Sequence, residues 1–476
     1  MEKIHNLVLL IFISMCLMTG SWECGKAPPT QQPQRRKAGE GFPPLPLPVT
    51  PLRRSEKKNP PSPPVIIGKV ICGPDDKWTR AENDIENLLK IIGQTTGINY
   101  RAIKISLNNF SFDPEEIPIL YITSVEPLLI EEKNLTKIKE FLLKGGFIWA
   151  NASSGSPEFT KDFVKTIEKI FPDRNFYPLF SNHPLTNCFY NIKKVKILEE
   201  GKEKETDINL RTLNIGCRGA IILSPYDLGC GWAMHTHPWG TRYIPEDAIK
   251  IGTNMFLYSL NWIEYGKYYS QFPLYLEKEK SKTGKIYLGQ VKHSGDWNPS
   301  PGSIGKFLKN FSENTETFVY SEPIAIDLKK DDLKDVPILY ITGHYDPNFD
   351  EIELKKLRDF LLKGGSIIGN SCCGSDDFTS AFQKIINKII PEAKKVIPKE
   401  NDKIFQFPFL LTTIFSNYKL KDPIEIYYFK ERPVIIFSKY DIGSGWENIS
   451  KPFIFSLNFK DSKEIGTNIL VYLLTH

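Results

Sequence analysis

Short apolar runs alternate with amphipathic stretches along this chain, and the alternation is written twice. Residues 65–71 form an apolar run of strand length, and a helix is predicted over about residues 80–92, where Ile85, Leu88 and Leu89 share one face. Ile117-Pro118-Ile119-Leu120-Tyr121-Ile122 reads as a second strand. A helix over about 131–143 follows, and Gly145-Gly146 ends it. Residues 147–150 give the next strand and 157–170 the next helix, with Pro157 in its first turn. A strand at 220–223 and a helix over about 245–265 complete the half.

The second half keeps this order. Trp297 stands 219 residues after Trp78, and Val336-Pro337-Ile338-Leu339-Tyr340-Ile341 matches the 117–122 run at the same offset. Leu143-Lys144-Gly145-Gly146 returns as Leu362-Lys363-Gly364-Gly365. The elbow Asn151-Ala152-Ser153-Ser154-Gly155 returns as Asn370-Ser371-Cys372-Cys373-Gly374. Residues 434–437 match the late strand, and Ile465-Gly466-Thr467-Asn468 matches Ile251-Gly252-Thr253-Asn254. So long a period means two whole domains, 65–270 and 284–476, and not a solenoid. Strands alternating with helices imply two doubly wound α/β domains, each a mostly parallel sheet covered on both faces.

What precedes them is different in kind. Residues 26–64 contain 12 prolines and little aliphatic periodicity, which reads as a stiff tether. Residues 1–25 carry Lys3 and an apolar run from Leu7 to Met18, followed by Thr19-Gly20-Ser21, a signal-like profile. Cys16 and Cys24 raise lipidation, and an uncleaved anchor competes with cleavage. Export, to the periplasm or the cell exterior, is the expectation. The net charge of +5 sits in the tether, which holds eight Lys/Arg against two acids, so the chain from residue 65 onward is neutral. That argues against nucleic acid as a partner, and membrane contact is expected only through the N-terminal segment. Eight cysteines over 476 residues do not make a disulfide scaffold, although in an exported protein Cys72, Cys188, Cys217 and Cys230 are open to pairing.

Three pieces together, in order, carry a family resemblance: the strand ending Thr342-Gly343-His344, the Gly-Gly turn with the Cys372-Cys373-Gly374 elbow, and Ser224-Pro225-Tyr226-Asp227-Leu228-Gly229-Cys230-Gly231-Trp232 running into His235-Thr236-His237. From residue 65 on, the chain resembles two tandem copies of the domain of unknown function 4159. That family is similar to the class I glutamine-amidotransferase-like, flavodoxin-like folds. The resemblance implies a bacterial or archaeal source and a flavodoxin-like fold, and it leaves the activity open.

In a doubly wound sheet, ligands bind at the carboxyl ends of strands, where His344 and Asn370–Gly374 are expected. Ser375 or Asp376 is expected to cap the following helix, and its amides would favour a thiolate. Cys372 or Cys373 as nucleophile with His344 as base is chemically admissible. Two departures from the amidotransferase pattern stand against it: Asn370-Ser371 replaces the glycine before the nucleophile, and no His-x-Glu follows. Adjacent cysteines are expected to point different ways, so that at most one faces the site. Cys230, His235 and His237 have a spacing tolerable for zinc or copper; no cofactor is required by the pattern. The motif Tyr226-Asp227…Trp232 recurs as Tyr440-Asp441…Trp446, and its Tyr, Asp and Trp, with His235, His237 and Asn370, are the candidate ligand-binding residues.

Neither half holds every candidate. The first has Val125 opposite His344 and serines opposite the cysteines, whereas the second lacks the His-x-His. Drift of each half towards binding is the expectation, since a composite site would need two strand-end faces to meet. The function expected is a non-enzymatic binding or scaffold role in the cell envelope, with a small polar ligand, a glycan or an envelope protein as partner. A cysteine- or metal-dependent hydrolase is the alternative.

Overall fold

The computed structural model describes residues 63–476, apart from 75–77, 79, 129, 236–238, 270–285, 323, 412–421, 450 and 455. The apolar N-terminal run, nearly all of the tether and His237 lie outside the described residues. No helix among the described residues is long and apolar enough to cross a membrane.

The first half opens with β1 (Val65–Val70), α1 (Asp84–Thr96), β2 (Arg101–Ile105), β3 (Ile119–Ser124), α2 (Glu132–Leu143), β4 (Phe147–Ala152) and α3 (Pro157–Ile170). Then follow β5 (Tyr177–Pro178), the hairpin β6 (Val195–Glu199) and β7 (Lys202–Thr206), β8 (Arg211–Ile215), β9 (Arg218–Ser224), β10 (Thr241–Tyr243) and α4 (Pro245–Tyr269). Seven strands form one sheet in the order β2-β1-β3-β4-β9-β8-β5, while β10, β6 and β7 make a small side sheet. The first five strands of that order are parallel, and the last two are added antiparallel.

The second half repeats this with β11 (Leu288–Val291), α5 (Ser303–Thr315), β12 (Ile324–Ile326), β13 (Ile338–Gly343), α6 (Glu351–Leu362), β14 (Ser366–Ser371) and α7 (Asp376–Ile389). It ends with β15 (Lys394–Val396), β16 (Ile424–Phe429), β17 (Arg432–Ser438) and α8 (Phe459–Thr475), in a sheet of order β12-β11-β13-β14-β17-β16-β15. Strand alternation explains its two cores. Leu339, Ile341 and Ile367 pack with Leu357, Phe360, Phe378 and Phe382, whereas Ile338, Tyr340 and Ile368 pack with Phe307, Trp446 and Ile469. Helices α6 and α7 therefore cover one face of the sheet, and α5 and α8 the other.

The Gly-Gly turn after α2 and α6 needs its first glycine, because Gly145 and Gly364 stand at φ 107° and 103°, where a side chain is strained. Helix α1 starts at Asp84, later than the apolar spacing suggests. Lys69 Nζ donates to the carbonyls of Ala81 and Glu82 and to Asp84 Oδ1, and so holds the preceding residues as a turn.

The halves pack end to end. The amino-terminal end of the first sheet, where the β8–β9 hairpin and the last turn of α4 lie, faces the carboxyl-terminal end of the second. Tyr177 stacks on Tyr345 at 4.2 Å, Asn214 Nδ2 donates to Asp296 Oδ2 at 3.2 Å, and Tyr268 donates to the Glu447 carbonyl.

Candidate functional site at the junction of the halves

The second sheet delivers its candidates where strand-end chemistry belongs. His344 follows β13, and Cys372 and Cys373 follow β14. Ser375 caps α7, accepting from Phe378 N, and also donates to the His344 carbonyl. The elbow is a single 3-10 turn in which Cys373 adopts φ 57° and ψ 12°, and Ser154 at the matching place adopts φ 55° and ψ 18°. This left-handed corner therefore belongs to the fold and not to the cysteine.

The corner changes where the thiols point. Alternation along an extended strand would separate them, yet the turn brings Cys372 Sγ and Cys373 Sγ to 3.7 Å. The expectation that only one could face the site is thus corrected: both do. His344 Nε2 lies 3.1 Å from Cys373 Sγ, and its Nδ1 lies 2.7 Å from Asp296 Oδ2. The fourth member comes from the other half. Cys217, in the β8–β9 hairpin, places its Sγ 3.3 Å from that of Cys372. The donor atoms of Cys217, His344, Cys372 and Cys373 all lie within 4.8 Å of one another, a group that could hold a metal ion.

Charges are arranged around this group. Lys451 Nζ, fully buried, sits 3.4 Å from Cys217 Sγ and 2.8 Å from Glu447 Oε2. Burial alone would push the Cys217 thiol up. Hydrogen bonds from Cys372 and Cys373, together with the Lys451 charge, reverse this and hold Cys217 well below the usual thiol range. Burial pushes the Cys373 thiol up to about 12. His344 is drawn the other way: against the pull of burial, the Cys373 sulfur and Asp296 hold its imidazole well above the ordinary value. Phe180 of the first half stacks on the His344 ring at 5.7 Å, and Asn182 Nδ2 donates to the Gly374 carbonyl at 3.0 Å. A loop of the first half thus roofs the elbow of the second.

The repeated Tyr-Asp-x-Gly-x-Gly-Trp motif has a structural use. Asp227 Oδ2 accepts from Ser154 N, and Asp441 Oδ2 accepts from Cys373 N, so each aspartate pins the amide of its own elbow. Asn151 and Asn370 bridge each aspartate to the strand beside it. Trp232 and Trp446 are buried in the cores, with their indole N–H groups bonded to the carbonyls of Ala248 and Ser462. Tyr226 and Tyr440 are half-buried. Tyr226 lines a groove of about 530 Å³ together with Lys161, Lys165 and Arg211.

Of the Cys-x4-His-x-His set, His237 lies outside the described residues, which leaves Cys230 and His235. Cys230 is buried and its thiol raised above the ordinary range, chiefly by desolvation, and His235 is exposed. Neither belongs to the metal-competent group of the described residues. All six described cysteines are free, so the first-half four form no disulfide. Cys217, Asp296, Lys451 and Phe180 escaped the sequence reading. Asp296, just past the first strand of its half, was open to the strand-end rule, but the other three owe their place to the packing of one half on the other.

Fold and site together define a tandem α/β protein with a Cys/His cluster at the junction of its halves. The chain belongs to the family described as Domain of unknown function (DUF4159), whose profile matches residues 66–260 and again 287–474. A stretch of 107 residues is also 26% identical to the N6-methyladenosine RNA demethylase ALKBH of Cryphonectria parasitica. That likeness covers 22% of this chain and 45% of that protein, less than half its length.

Proposed function

We propose that this is an exported binding or scaffold protein of the cell envelope, made of two flavodoxin-like domains that catalyse no reaction at their cysteine pair. The parallel order β2-β1-β3-β4-β9 supports the flavodoxin-like assignment. One observation carries the non-enzymatic reading. Cys373 occupies the elbow where a nucleophile would stand, yet Phe180 and Asn182 roof it, and burial lifts its thiol to about 12. A thiol so protonated and half-buried beneath that loop is a poor nucleophile at neutral pH. The groove beside Tyr226 supports a small polar ligand or an acidic glycan: an aromatic ring stands beside three cationic side chains.

A second reading rests on the line Asp296–His344–Cys373, at 2.7 and 3.1 Å, which has the order of a cysteine hydrolase triad. Iodoacetamide at neutral pH separates the two. Slow labelling of Cys372 and Cys373 in the native protein is the expected result. Rapid, saturable alkylation of either one would overturn the non-enzymatic reading in favour of a hydrolase.

A further inference from the structure

The cluster at the junction has the chemistry of a metal shell. It offers three sulfurs and one imidazole nitrogen, and zinc takes such Cys/His sets in tetrahedral, closed structural sites. Zinc–sulfur bonds of about 2.3 Å and zinc–nitrogen bonds of about 2.0 Å place the donors of a tetrahedron roughly 3.5–3.8 Å apart. Here the sulfurs are 3.3 and 3.7 Å apart and the imidazole nitrogen is 3.1 Å from the nearest of them. These three separations need to widen by only a few tenths of an ångström, and all six lie within 4.8 Å.

The surroundings fit as well. His344 turns Nε2 to the sulfurs and Nδ1 to Asp296, the carboxylate–histidine arrangement that fixes the ring of a metal ligand. Asn214, from the first half, donates to the same Asp296 oxygen and fixes it in turn. Three thiolates and a neutral imidazole around a divalent ion sum to −1, and the Lys451 ammonium stands 3.4 Å from the Cys217 sulfur. No open position is left for substrate, which suits a structural ion rather than a catalytic one.

We propose that Cys217, Cys372, Cys373 and His344 bind one tetrahedral zinc ion that clasps the first half of the chain to the second. The proposal rests on the non-catalytic reading of the cysteine pair and gives that pair a task. On binding, the ligand thiols and the His344 Nε2 position release their protons to solvent and nothing is oxidised. Asp296 acts as a positioning residue through His344.

The test uses the full chain, produced with zinc and purified under reductant. Zinc content of about one per chain is expected. After chelation, titration with cobalt(II) is expected to give the intense ligand-field and thiolate charge-transfer absorption of a tetrahedral Cys₃His site. Cys217→Ser is expected to abolish stoichiometric metal, and Asp296→Asn to weaken cobalt binding by about 10–100-fold while leaving the tetrahedral spectrum in place. The cobalt spectrum of the unsubstituted chain stands even where a variant fails to fold. Absence of stoichiometric zinc together with an octahedral cobalt spectrum overturns the clasp. So does a Cys217–Cys372 disulfide that persists when the protein is made and purified under reductant. If the stripped chain then resists iodoacetamide, only the clasp has failed; if one thiol of the pair is rapidly alkylated, the non-enzymatic reading has failed too.

Discussion

The Lys69–Asp84 pair offers the sharpest energetic test, because the chain contains its own control. Lys69 Nζ lies 2.6 Å from Asp84 Oδ1, and both side chains are 1% exposed. Asp84 also accepts from Tyr121 Oη and from Ile85 N. Despite these partners, desolvation prevails and lifts the Asp84 carboxyl from 3.8 to about 6. A carboxyl raised on folding binds its proton more tightly in the folded state. Stability from this group is therefore greatest below pH 3.8 and falls as pH rises to about 6, by roughly 3 kcal/mol at about 1.4 kcal/mol per unit. Above pH 6 the cost stays constant.

At the corresponding places the second half carries Gln290 and Ser303, bonded instead to the Trp297 carbonyl and the Ser300 carbonyl. Breaking the pair by Lys69→Gln leaves a buried carboxylate alone, which is expected to cost about 3–5 kcal/mol at pH 8. At pH 5 the loss shrinks, since Asp84 takes up a proton. The double change Lys69→Gln/Asp84→Ser copies the second half. It is expected to change stability at pH 8 by less than about 1 kcal/mol or to raise it, and to remove the dependence between pH 4 and 6. Urea unfolding followed by tryptophan emission at several pH values measures all three proteins. If the single variant were as stable as the double at pH 8, or if the pH slope survived in the double, the reasoning would be wrong.

Three further outcomes are expected. Phe180→Ala removes the ring stacked on His344 and is expected to raise the iodoacetamide rate of Cys373 several-fold in chelator-treated protein; an unchanged rate means that Phe180 is not the roof. Lys451→Met leaves Glu447 buried without its cation, and the two are 2.8 Å apart with no exposure. A loss of about 3–5 kcal/mol is expected in thermal or urea unfolding, with partial rescue by adding Glu447→Gln; a loss below about 1 kcal/mol refutes it. Arg218 donates to the carbonyls of Leu142, Gly145 and Gly146 from a site 1% exposed. Arg218→Lys, which lacks the planar fork, is expected to cost about 2–3 kcal/mol, and Arg432→Lys, on the half-exposed counterpart, less; equal losses in the two would contradict the burial argument.

Much of the architecture could be read from apolar spacing and from glycine. Helix α3 runs over the span expected, and the Gly-Gly turns fall where φ near 100° demands them. Four of the five parallel strands in each half follow from short apolar runs between helices, whereas the edge strands β2 and β12 did not show. The antiparallel additions β8 and β5 did not show, because Arg211–Ile215 alternates poorly and Tyr177–Pro178 is two residues long. The tryptophans of the repeated motif, candidate ligand-binding residues from sequence, are buried in the cores. The site was half legible. Cys372, Cys373 and His344 stand at the strand ends where topology puts chemistry, but the left-handed corner that turns both thiols inward carries no signature beyond Gly374. Cys217 was beyond reach altogether, since no spacing within a half predicts which residue of one domain will touch the other.

The differences between the two copies become intelligible once the packing is known. The elbow backbone is the same in both, and Val125 O accepts from Ser156 as His344 O does from Ser375. What differs is the side chain: valine and two serines on the first elbow, histidine and two cysteines on the second. The hairpin shows the reverse, with Cys217 before Arg218 in the first half and Glu431 before Arg432 in the second. At the elbow and hairpin positions of the cluster, cysteine and histidine thus stand on the two surfaces that meet, the amino-terminal end of the first sheet and the carboxyl-terminal end of the second. Other residues stand at the matching positions of the two surfaces that do not, although Cys72, Cys230 and His235 also lie at strand ends of the first sheet. Because these four side chains come together across the junction, the composite arrangement is the better account of the asymmetry at their positions. A head-to-tail contact of this kind does not close on itself and would in principle continue from copy to copy. Here the first elbow carries serines and the second hairpin a glutamate, so the cysteine–histidine cluster is not repeated at those positions.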